Sequence, residues 1–284
     1  MEFVEVKARA KINLSIDVIK KREDGYHELK MVMQTVDLHD RIRLKAIKSG
    51  IELVCNHPFV PSDSRNLAYK AAQLFLDRYN VKSGVRIEIE KRIPVAAGLA
   101  GGSSDAAAVL KGMNELFSMG IENSRLMVDG KVLGADVPYC VKGGTALAEG
   151  IGDILTELNS LENVDVVIVK PGLNVSTAWV YKNFDFGKIV DKPDMDLIVE
   201  AINNREIDVL ARNMKNVLEA VTAEKYQIIH HIKERLVKLG ALGSLMSGSG
   251  PSVFGIFEDR KTAEKAFNTI NNGKWECFLT YMTK

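Results

Sequence analysis

Apolar and polar residues alternate without interruption along the beginning of the chain. From Val4 to Val18 every even position is apolar, and every odd position up to Asp17 is polar. A period of two is typical of a β-strand that buries one face and exposes the other. The pattern therefore predicts one long strand or two collinear strands, with Lys11 and Asn13 together on the polar face.

The same alternation returns further along the first half of the chain. The pair Asp24-Gly25 predicts a tight turn after the first strand, so the strands on either side of it should run antiparallel. In other segments the apolar residues take the spacing of an amphipathic helix. The predicted strands are Leu29–Met33, Ile42–Ala46 and Val85–Ile89, and the predicted helices are Asn66–Tyr79, Asp105–Phe117 and Ser124–Leu133.

The second half of the chain is predicted to contain more helix. No flexible linker separates the halves, so the change of architecture alone suggests two domains, residues 1–158 and 159–284. The predicted strands are Thr145–Ala148, Val164–Val169, two strands joined by a Gly/Ser loop within Ser244–Phe257, and Trp275–Tyr281. The predicted helices are Ser176–Asn183, Met195–Ile202, Ile207–Ala220, Tyr226–Leu239 and Arg260–Ile270.

The charge balance narrows the class of protein. The 284 residues include 38 Lys and Arg against 37 Asp and Glu, a net charge of +1, and 46% of residues are hydrophobic. This is the balance of a soluble globular protein, and it lacks the strong positive field of a dedicated nucleic-acid binder. We therefore expect no nucleic-acid partner, while a local phosphate site remains open.

The cysteines and the apolar segments indicate in which cellular compartment the protein is located. The three cysteines, Cys55, Cys140 and Cys277, are widely spaced and favour neither a disulfide framework nor a structural zinc site. The N-terminal residues carry charges at nearly every second position, unlike a signal peptide, and no stretch reaches the roughly 18 apolar residues of a membrane span. These features predict a cytoplasmic protein without a membrane partner, and they leave the oligomeric state undetermined.

A loop rich in glycine and alanine precedes the helix predicted from Asp105. Small side chains let backbone N–H groups approach a ligand, and the N-terminus of the following helix favours an anion. The loop lacks the Gly-Lys-Ser/Thr ending of a Walker A motif, and a simple strand-to-helix turn is the alternative. The candidate phosphate-binding residues are Pro94, Val95, Ala96, Ala97, Gly98, Leu99, Ala100, Gly101, Gly102, Ser103 and Ser104.

Three segments together resemble the signature motifs of the GHMP kinase superfamily, which includes galactokinase, homoserine kinase and mevalonate kinase. Residues Ala10–Leu14 resemble the first motif, the loop from Pro94 resembles the second, and Gly243–Gly255 resembles the third. The resemblance covers essentially the whole chain. It implies a two-domain α+β GHMP kinase fold with the active site in the interdomain cleft.

The resemblance also implies a reaction and the residues that perform it. The reaction is transfer of the γ-phosphoryl group of ATP to an alcohol, with Mg²⁺ as cofactor. By the resemblance, Asp136 in the segment Gly134–Tyr139 accepts the hydroxyl proton, and Lys11 orients the hydroxyl and offsets negative charge. Taken alone, Lys11 would be one more charge on a solvated strand, and Asp136 would be a turn or helix-cap residue.

The segment Arg22–His27 resembles a nucleoside-binding part of the family, in a branch whose alcohol substrate carries a cytidine group. By that resemblance Tyr26 and His27 bind the pyrimidine, Tyr181 forms a second aromatic wall, and Asn13 reaches the substrate hydroxyls. A tyrosine that covers the turn and a tyrosine in a helix core are the ordinary alternatives for Tyr26 and Tyr181.

Several points stay open at this stage. Ser103 or Ser104 should lie near the metal, but no residue can be defended as a glutamate ligand, so the metal ligands are unknown. Asn66 precedes a predicted helix and is expected to cap it rather than to bind adenine. Another GHMP kinase without a cytidine substrate is the alternative enzyme. A non-catalytic RNA-associated module is the alternative from a different class, because such modules share the N-terminal fold.

Overall fold

The computed structural model describes residues 3–284, and the chain forms two compact units. Each unit is assembled from several stretches of sequence. The first contains the described residues up to Ala10, Leu38–Ile93 and Ala100–Gly143, and the second contains Lys11–Asp37, Pro94–Leu99 and Gly144–Lys284. The division into residues 1–158 and 159–284 stays a prediction.

Two long strands open the chain. Strand β1 (Val4–Lys21) is a single strand that contains the whole predicted segment, and strand β2 (His27–Ile47) follows after a tight turn in which Gly25 has a φ of +86°. The two strands predicted over Leu29–Met33 and Ile42–Ala46 are therefore one continuous strand. Gln34 is polar but fully buried, and its side chain donates to backbone oxygens and accepts from Thr145 at 2.6 Å.

The first unit packs four helices on its part of the sheet. Residues 41–47 of β2 pair antiparallel with β4 (Gly84–Glu90), which pairs in parallel with β3 (Ile51–Cys55). Apolar side chains of these strands and of the helices form one buried core. The helices are α1 (Leu67–Arg78), α2 (Gly101–Leu116), α3 (Asn123–Gly130) and α4 (Val137–Lys142).

Helix α2 begins four residues earlier than predicted. Ala100 takes the left-handed conformation, with φ +55° and ψ +28°, and the chain becomes helical at Gly101. The glycine and serine residues that suggested a loop therefore form the first turn of the helix. The chain changes direction at Ala100, and no left-handed residue is needed after it. The small residues that follow can therefore form the first helical turn.

The second unit contains two groups of strands. Residues 29–34 of β2 pair antiparallel with β5 (Thr145–Gly150), which pairs with β6 (Ile154–Glu157). A separate four-stranded antiparallel sheet has the order β10, β7, β9, β8. Its strands are β7 (Asp165–Lys170), β8 (Gly243–Met246), β9 (Val253–Phe257) and β10 (Glu276–Tyr281).

In the described part of the chain, the second unit has six α-helices, and in one place they differ clearly from the helices predicted from the sequence. The single helix predicted over Ile207–Ala220 is two helices, because the chain between them leaves the helix to bond along β1. Lys215 accepts from the amide of Ile16 at 2.9 Å, and the amide of Val217 donates to Ile16 at 3.1 Å. The helices are α5 (Thr177–Lys182), α6 (Met195–Asn203), α7 (Ile207–Asn213), α8 (Glu219–Lys225), α9 (Ile228–Lys238) and α10 (Arg260–Ile270).

The predicted α+β class is confirmed by these elements, with a helical layer and a sheet in each unit. In residues 3–284, none of the helices combines the length and the apolar character needed to cross a lipid bilayer.

Candidate active site

Lys11 is buried in the second unit rather than exposed on a strand face. Lys11 is 5% exposed, and its ammonium group donates to Oδ1 of Asn13 at 2.5 Å. The amide of Asn13 in turn contacts the sulfur of Met31 at 3.4 Å. Ser15 and Asp17 are buried as well, so the expected half-exposed strand is wrong between Ala10 and Val18. A buried lysine charge needs polar partners, and the side-chain oxygen of Asn13 is one of them.

All three motif segments have residues in contact within the second unit. The backbone amide of Lys11 donates to the oxygen of Leu99 at 3.2 Å, which joins β1 to the loop from Pro94. The hydroxyl of Ser247 donates to the oxygen of Gly98 at 2.9 Å, and the amide of Ser252 reaches Ala97 at 3.4 Å. The third-motif loop, Ser247–Ser252, therefore contacts the phosphate loop, Pro94–Leu99, at Ala97 and Gly98.

Glycine is required where these two loops approach each other. Gly98 has a φ of +73°, and a Cβ atom there would overlap the carbonyl oxygen of Ser247. Gly250 has a φ of +84°, and a Cβ atom would lie 2.6 Å from the sulfur of Met246. Gly98 thus permits the close backbone approach of the two loops, and Gly250 permits left-handed backbone within the third-motif loop.

In the first unit, the N-terminus of α2 offers backbone donors to an anion. Ala100 caps the helix without a side-chain hydrogen bond, and the first amide with an intrahelical acceptor is that of Ser104, at 2.9 Å from Ala100. The amides of Gly101, Gly102 and Ser103 precede it. These donors, with the dipole of a 16-residue helix, fit a phosphate group of ATP.

The two serines of this turn differ in their surroundings. The hydroxyl of Ser104 is buried and donates to the oxygen of Arg9 at 2.6 Å, so it fixes the helix to β1. Ser103 is half-buried, and of the pair it is the better candidate for a phosphate or metal contact. Within residues 3–284, no three His, Cys, Asp or Glu side chains are grouped to hold a metal ion. Since Mg²⁺ commonly binds through substrate phosphates and water, the ligand set remains unassigned.

Sequence reasoning missed a buried charge cluster beside this helix. The ammonium group of Lys91 lies 2.5 Å from Asp40 and 2.8 Å from Asp105, and all three side chains are less than 5% exposed. Asp40 also accepts from the amides of Arg92 at 2.6 Å and Ile93 at 2.8 Å. The cluster thus connects the chain just before the phosphate loop with helix α2. The only sign of this cluster in the sequence was the presence of charged residues next to the phosphate loop.

Burial controls protonation in this cluster. It raises the pKa of Asp105 to about 7, and the negative charge of Asp40 adds to the rise although Lys91 opposes it. Burial also opposes the charge of Lys91, but the two carboxylates outweigh it and raise the pKa of that amine. The second oxygen of Asp105 is buried and has no hydrogen-bond partner. Two carboxylates and one ammonium group in an apolar setting therefore favour a proton on Asp105.

Asp136 occupies the N-cap position of α4 (Val137–Lys142), within the segment Gly134–Tyr139 that resembles the family. Its backbone has helical angles, and its carbonyl accepts from Cys140 at 3.0 Å. Its carboxylate makes no capping hydrogen bond. The capping role considered for this side chain therefore does not describe it, and a catalytic role stays a prediction.

An aromatic cluster forms around His27 in the second unit. The ring of His27 stacks on Tyr181 with centroids 5.1 Å apart and an interplanar angle of 26°. The ring of Phe186 is also stacked relative to His27, with centroids 6.4 Å apart, and Phe184 meets the imidazole edge-on at 6.3 Å. Tyr26, which precedes His27 in the sequence, is 60% exposed. The structure brings His27 and Tyr181 together as predicted, and it adds two phenylalanines that the sequence analysis did not identify.

The imidazole of His27 is suited to hydrogen bonding with a base. Burial lowers the pKa of His27 below its ordinary value, and the charge of Lys21 acts in the same direction. A neutral imidazole offers one donor and one acceptor, which matches the edge of a pyrimidine. Asn66, by contrast, caps α1 by accepting from Ala68 at 2.9 Å, as its position before the helix predicted.

The chain matches two family models. Residues 66–144 match the model of the GHMP kinases N terminal domain, and residues 198–276 match the model of the GHMP kinases C terminal. The matches lie on the parts of the chain that contain α2 and the third-motif loop. The resemblance based on the motifs is therefore confirmed.

Solved structures have the same fold. The chain superimposes on a crystal structure of 4-(cytidine 5'-diphospho)-2C-methyl-D-erythritol kinase with a TM-score of 0.86 and 34% identity, over 99% of this chain and 100% of the other. A homoserine kinase from Cytophaga hutchinsonii gives a TM-score of 0.80 at 19% identity, over 100% and 95% of the two chains. The second likeness shows the fold alone.

Relatives of known name extend over the full length. The chain is 57% identical over 280 residues to the 4-diphosphocytidyl-2-C-methyl-D-erythritol kinase of Acetivibrio thermocellus, which covers 99% of each chain. It is 53% identical over 277 residues to the kinase of that name from Clostridium botulinum, covering 98% of this chain and 99% of the relative. The motifs, the fold and this full-length identity show that the chain is a GHMP kinase that belongs to the family of 4-diphosphocytidyl-2-C-methyl-D-erythritol kinases.

Proposed function

We propose that this kinase transfers the γ-phosphoryl group of ATP to a hydroxyl of 4-diphosphocytidyl-2-C-methyl-D-erythritol, a step of non-mevalonate isoprenoid precursor synthesis. Use of ATP as the phosphoryl donor follows from the kinase family. The observation that supports this acceptor is the stacking of His27 on Tyr181, 5.1 Å apart, beside Phe186. A pyrimidine ring can insert into or stack on such a cluster, whereas an acceptor without a base would not need it.

The proposed chemistry assigns a proton acceptor and a positive charge. The hydroxyl oxygen of the acceptor forms a bond to the γ-phosphorus while the bond from that phosphorus to the β,γ-bridging oxygen breaks, and ADP leaves with the electron pair. The carboxylate of Asp136 accepts the hydroxyl proton. Lys11, held by Asn13 at 2.5 Å, orients the hydroxyl and offsets the developing negative charge. Asn13 also contacts the hydroxyls of the erythritol part.

The phosphates of ATP are bound mainly by backbone in this proposal. The amides of Gly101, Gly102 and Ser103 at the start of α2 receive the phosphate oxygens, and the small residues of the phosphate loop leave room for them. Mg²⁺ stays a predicted cofactor that would neutralise phosphate charge when bound. The cytoplasmic location also stays a prediction from the sequence.

A comparison of acceptors tests the proposal. We expect the purified protein with ATP and magnesium to release ADP with 4-diphosphocytidyl-2-C-methyl-D-erythritol and not with homoserine or mevalonate. Turnover with homoserine or mevalonate alone would contradict the cytidine roles of Tyr26, His27 and Tyr181 and would keep the phosphate loop. Competition by cytidine diphosphate gives a second measurement, because only an enzyme with a cytidine pocket should be inhibited.

The non-catalytic alternative predicts a different outcome. An RNA-associated module would bind RNA with an affinity that falls steeply with salt and would turn over no ATP. Electrophoretic mobility shifts at two salt concentrations, measured beside the ADP assay, distinguish the two functions.

A further inference from the structure

Asn216 is the centre of a buried set of hydrogen bonds that holds the third-motif loop. Asn216 is 5% exposed, and its side-chain amide donates to the carbonyl oxygens of Met246 and Gly248, both at 2.8 Å. Its side-chain oxygen accepts from the amide of Leu218 at 3.0 Å. Both amide hydrogens and the oxygen are therefore used, in a place where water does not replace a lost partner.

The backbone around Asn216 is fixed to the strand that carries Lys11. The hydroxyl of Ser15 donates to the oxygen of Lys215 at 2.8 Å, and the amide of Ile16 donates to the same oxygen at 2.9 Å. Asn216 itself forms a parallel β-bridge with Ile16. The segment that interrupts the predicted helix thus places one amide side chain between β1 and the third-motif loop.

Two side chains of α8 hold the same loop in the same way. Glu219 accepts from the amide of Met246 at 2.8 Å, and its other oxygen pairs with Lys233 at 2.5 Å. Thr222 donates from its hydroxyl to the oxygen of Ser249 at 3.1 Å. The bonds from Asn216, Glu219 and Thr222 to residues 246–249 all end on main-chain atoms, so what these side chains determine is the path of the backbone.

The path of this loop determines the support of the phosphate loop. Ser247 lies between the two carbonyls that Asn216 holds, and its hydroxyl donates to Gly98 at 2.9 Å. Gly248 approaches Gly98 so closely that a Cβ atom on it would lie 3.1 Å from the oxygen of Gly98. A shift of the third-motif loop by a few tenths of an ångström would therefore change the position of the phosphate loop.

We infer that Asn216 is a positioning residue for ATP binding, which acts through the third-motif loop on the phosphate loop. The inference rests on the proposed role of the phosphate loop. Asparagine suits this position because aspartate would direct an oxygen without a hydrogen at two carbonyl oxygens, and an aliphatic residue would leave both carbonyls without a partner.

The test compares Asn216→Asp with a matched change three residues away. Asn213 lies at the end of α7 and donates to the oxygen of Val209 at 2.8 Å, without a bond to the third-motif loop. Asn213→Asp therefore introduces the same charge and loses the same kind of donor. Calorimetric titration with a non-hydrolysable ATP analogue and with cytidine diphosphate measures both ligands, and steady-state kinetics separate KM for ATP from kcat.

We expect Asn216→Asp to weaken binding of the ATP analogue about tenfold, because both carbonyls lose their buried donor, and to raise KM for ATP by a similar factor. Affinity for cytidine diphosphate should change by less than about twofold, as should all values for Asn213→Asp. Equal weakening of both ligands by Asn216→Asp, or an ATP effect as large in Asn213→Asp, would overturn the inference.

A second variant serves if Asn216→Asp does not fold. Thr222→Val keeps the shape of the side chain and removes the donor to Ser249, so it should weaken the ATP analogue about threefold and leave cytidine diphosphate unchanged. An equal effect on both ligands contradicts the inference. Binding of the ATP analogue needs no acceptor, so failure of the wild-type protein to use 4-diphosphocytidyl-2-C-methyl-D-erythritol or to bind cytidine diphosphate would count against the proposed function alone.

Discussion

The hydroxyl of Ser247 donates a 2.9 Å hydrogen bond to the carbonyl oxygen of Gly98. The two residues are 149 positions apart and belong to two different motifs, yet their loops are in direct contact. Such an approach is possible only with glycine at position 98, because its φ is +73° and a Cβ atom would overlap Ser247. The contact therefore links the conformation of the third-motif loop to that of the phosphate loop.

Replacement of Gly98 by alanine should displace the phosphate loop. The left-handed backbone costs alanine about 1 kcal/mol, and the overlap with Ser247 adds to that cost. We expect affinity for a non-hydrolysable ATP analogue to fall at least about tenfold, measured by calorimetric titration. Gly172→Ala is the matched control, because no atom lies within 4 Å of its added carbon. Wild-type affinity in Gly98→Ala would show that the loop does not depend on this approach.

Replacement of Asp136 by asparagine tests the proposed proton acceptor. Loss of a general base commonly lowers kcat by about 10²- to 10⁴-fold. The unfolding midpoint is measured beside kcat, so that a loss of the base is distinguished from a loss of folding. Asp77→Asn is the control, because this exposed carboxylate accepts only a helix-surface bond from Gln73 at 2.9 Å. Full turnover by Asp136→Asn would exclude Asp136 as the base.

Replacement of Tyr181 by alanine tests the nucleobase site. The ring stacks on His27 and belongs to the same aromatic cluster as Phe186. Stacking of a base on an aromatic side chain contributes about 1–3 kcal/mol, so affinity for cytidine diphosphate should fall at least about fivefold. Affinity for the ATP analogue should be unchanged. Tyr281→Ala removes a partly exposed tyrosine elsewhere in the same unit and controls for general loss of stability. A parallel fall for both nucleotides would argue against a separate base pocket.

Replacement of Asp105 by asparagine should change how stability depends on pH. The pKa of Asp105 is raised from 3.8 to about 7 in the folded protein, mainly by burial. The folded state therefore holds a proton that the unfolded chain releases near pH 4, and this contribution to stability is present below that pH and lost as the pH rises toward 7. Asparagine has no such proton to lose.

Urea unfolding at pH 5 and pH 8 measures this effect. The free energy of unfolding of Asp105→Asn, relative to that of the wild type, should be larger at pH 8 than at pH 5, by up to about 3 kcal/mol. The exposed variant Asp77→Asn should show no such difference between the two pH values. A relative stability of Asp105→Asn that is the same at both pH values would mean that the carboxylate is ionised in the folded protein throughout this range.

Much of the fold could be predicted because local patterns decide it. The alternation from Val4 gives β1, and the helical spacing after Asn66 and from Arg260 gives α1 and α10 with boundaries close to those observed. In each case one face of the element is apolar, and burial of that face fixes the type of element. Short elements such as β3, α4 and β6 were not predicted, because four to six residues carry too little periodicity.

The aromatic cluster shows which part of the candidate site the sequence could supply. His27 and Tyr181 were identified from segments with a family resemblance, and the structure stacks their rings. Phe184 and Phe186 lie in a short segment without a motif, and only their distance from His27 reveals them. Residues far apart in sequence have no signal that they share a site unless a motif marks them.

The sequence by itself determined the family, the order of the motifs and the small residues of the phosphate loop, because these depend on residue type and on spacing along the chain. Tertiary structure alone decided which polar groups are buried together. It encloses Lys91 between Asp40 and Asp105, and it breaks a regular helical pattern so that Asn216 lies between β1 and the third-motif loop. Both outcomes depend on pairing buried polar groups from distant segments, and the cost of leaving such groups unpaired exceeds any local preference for helix or strand.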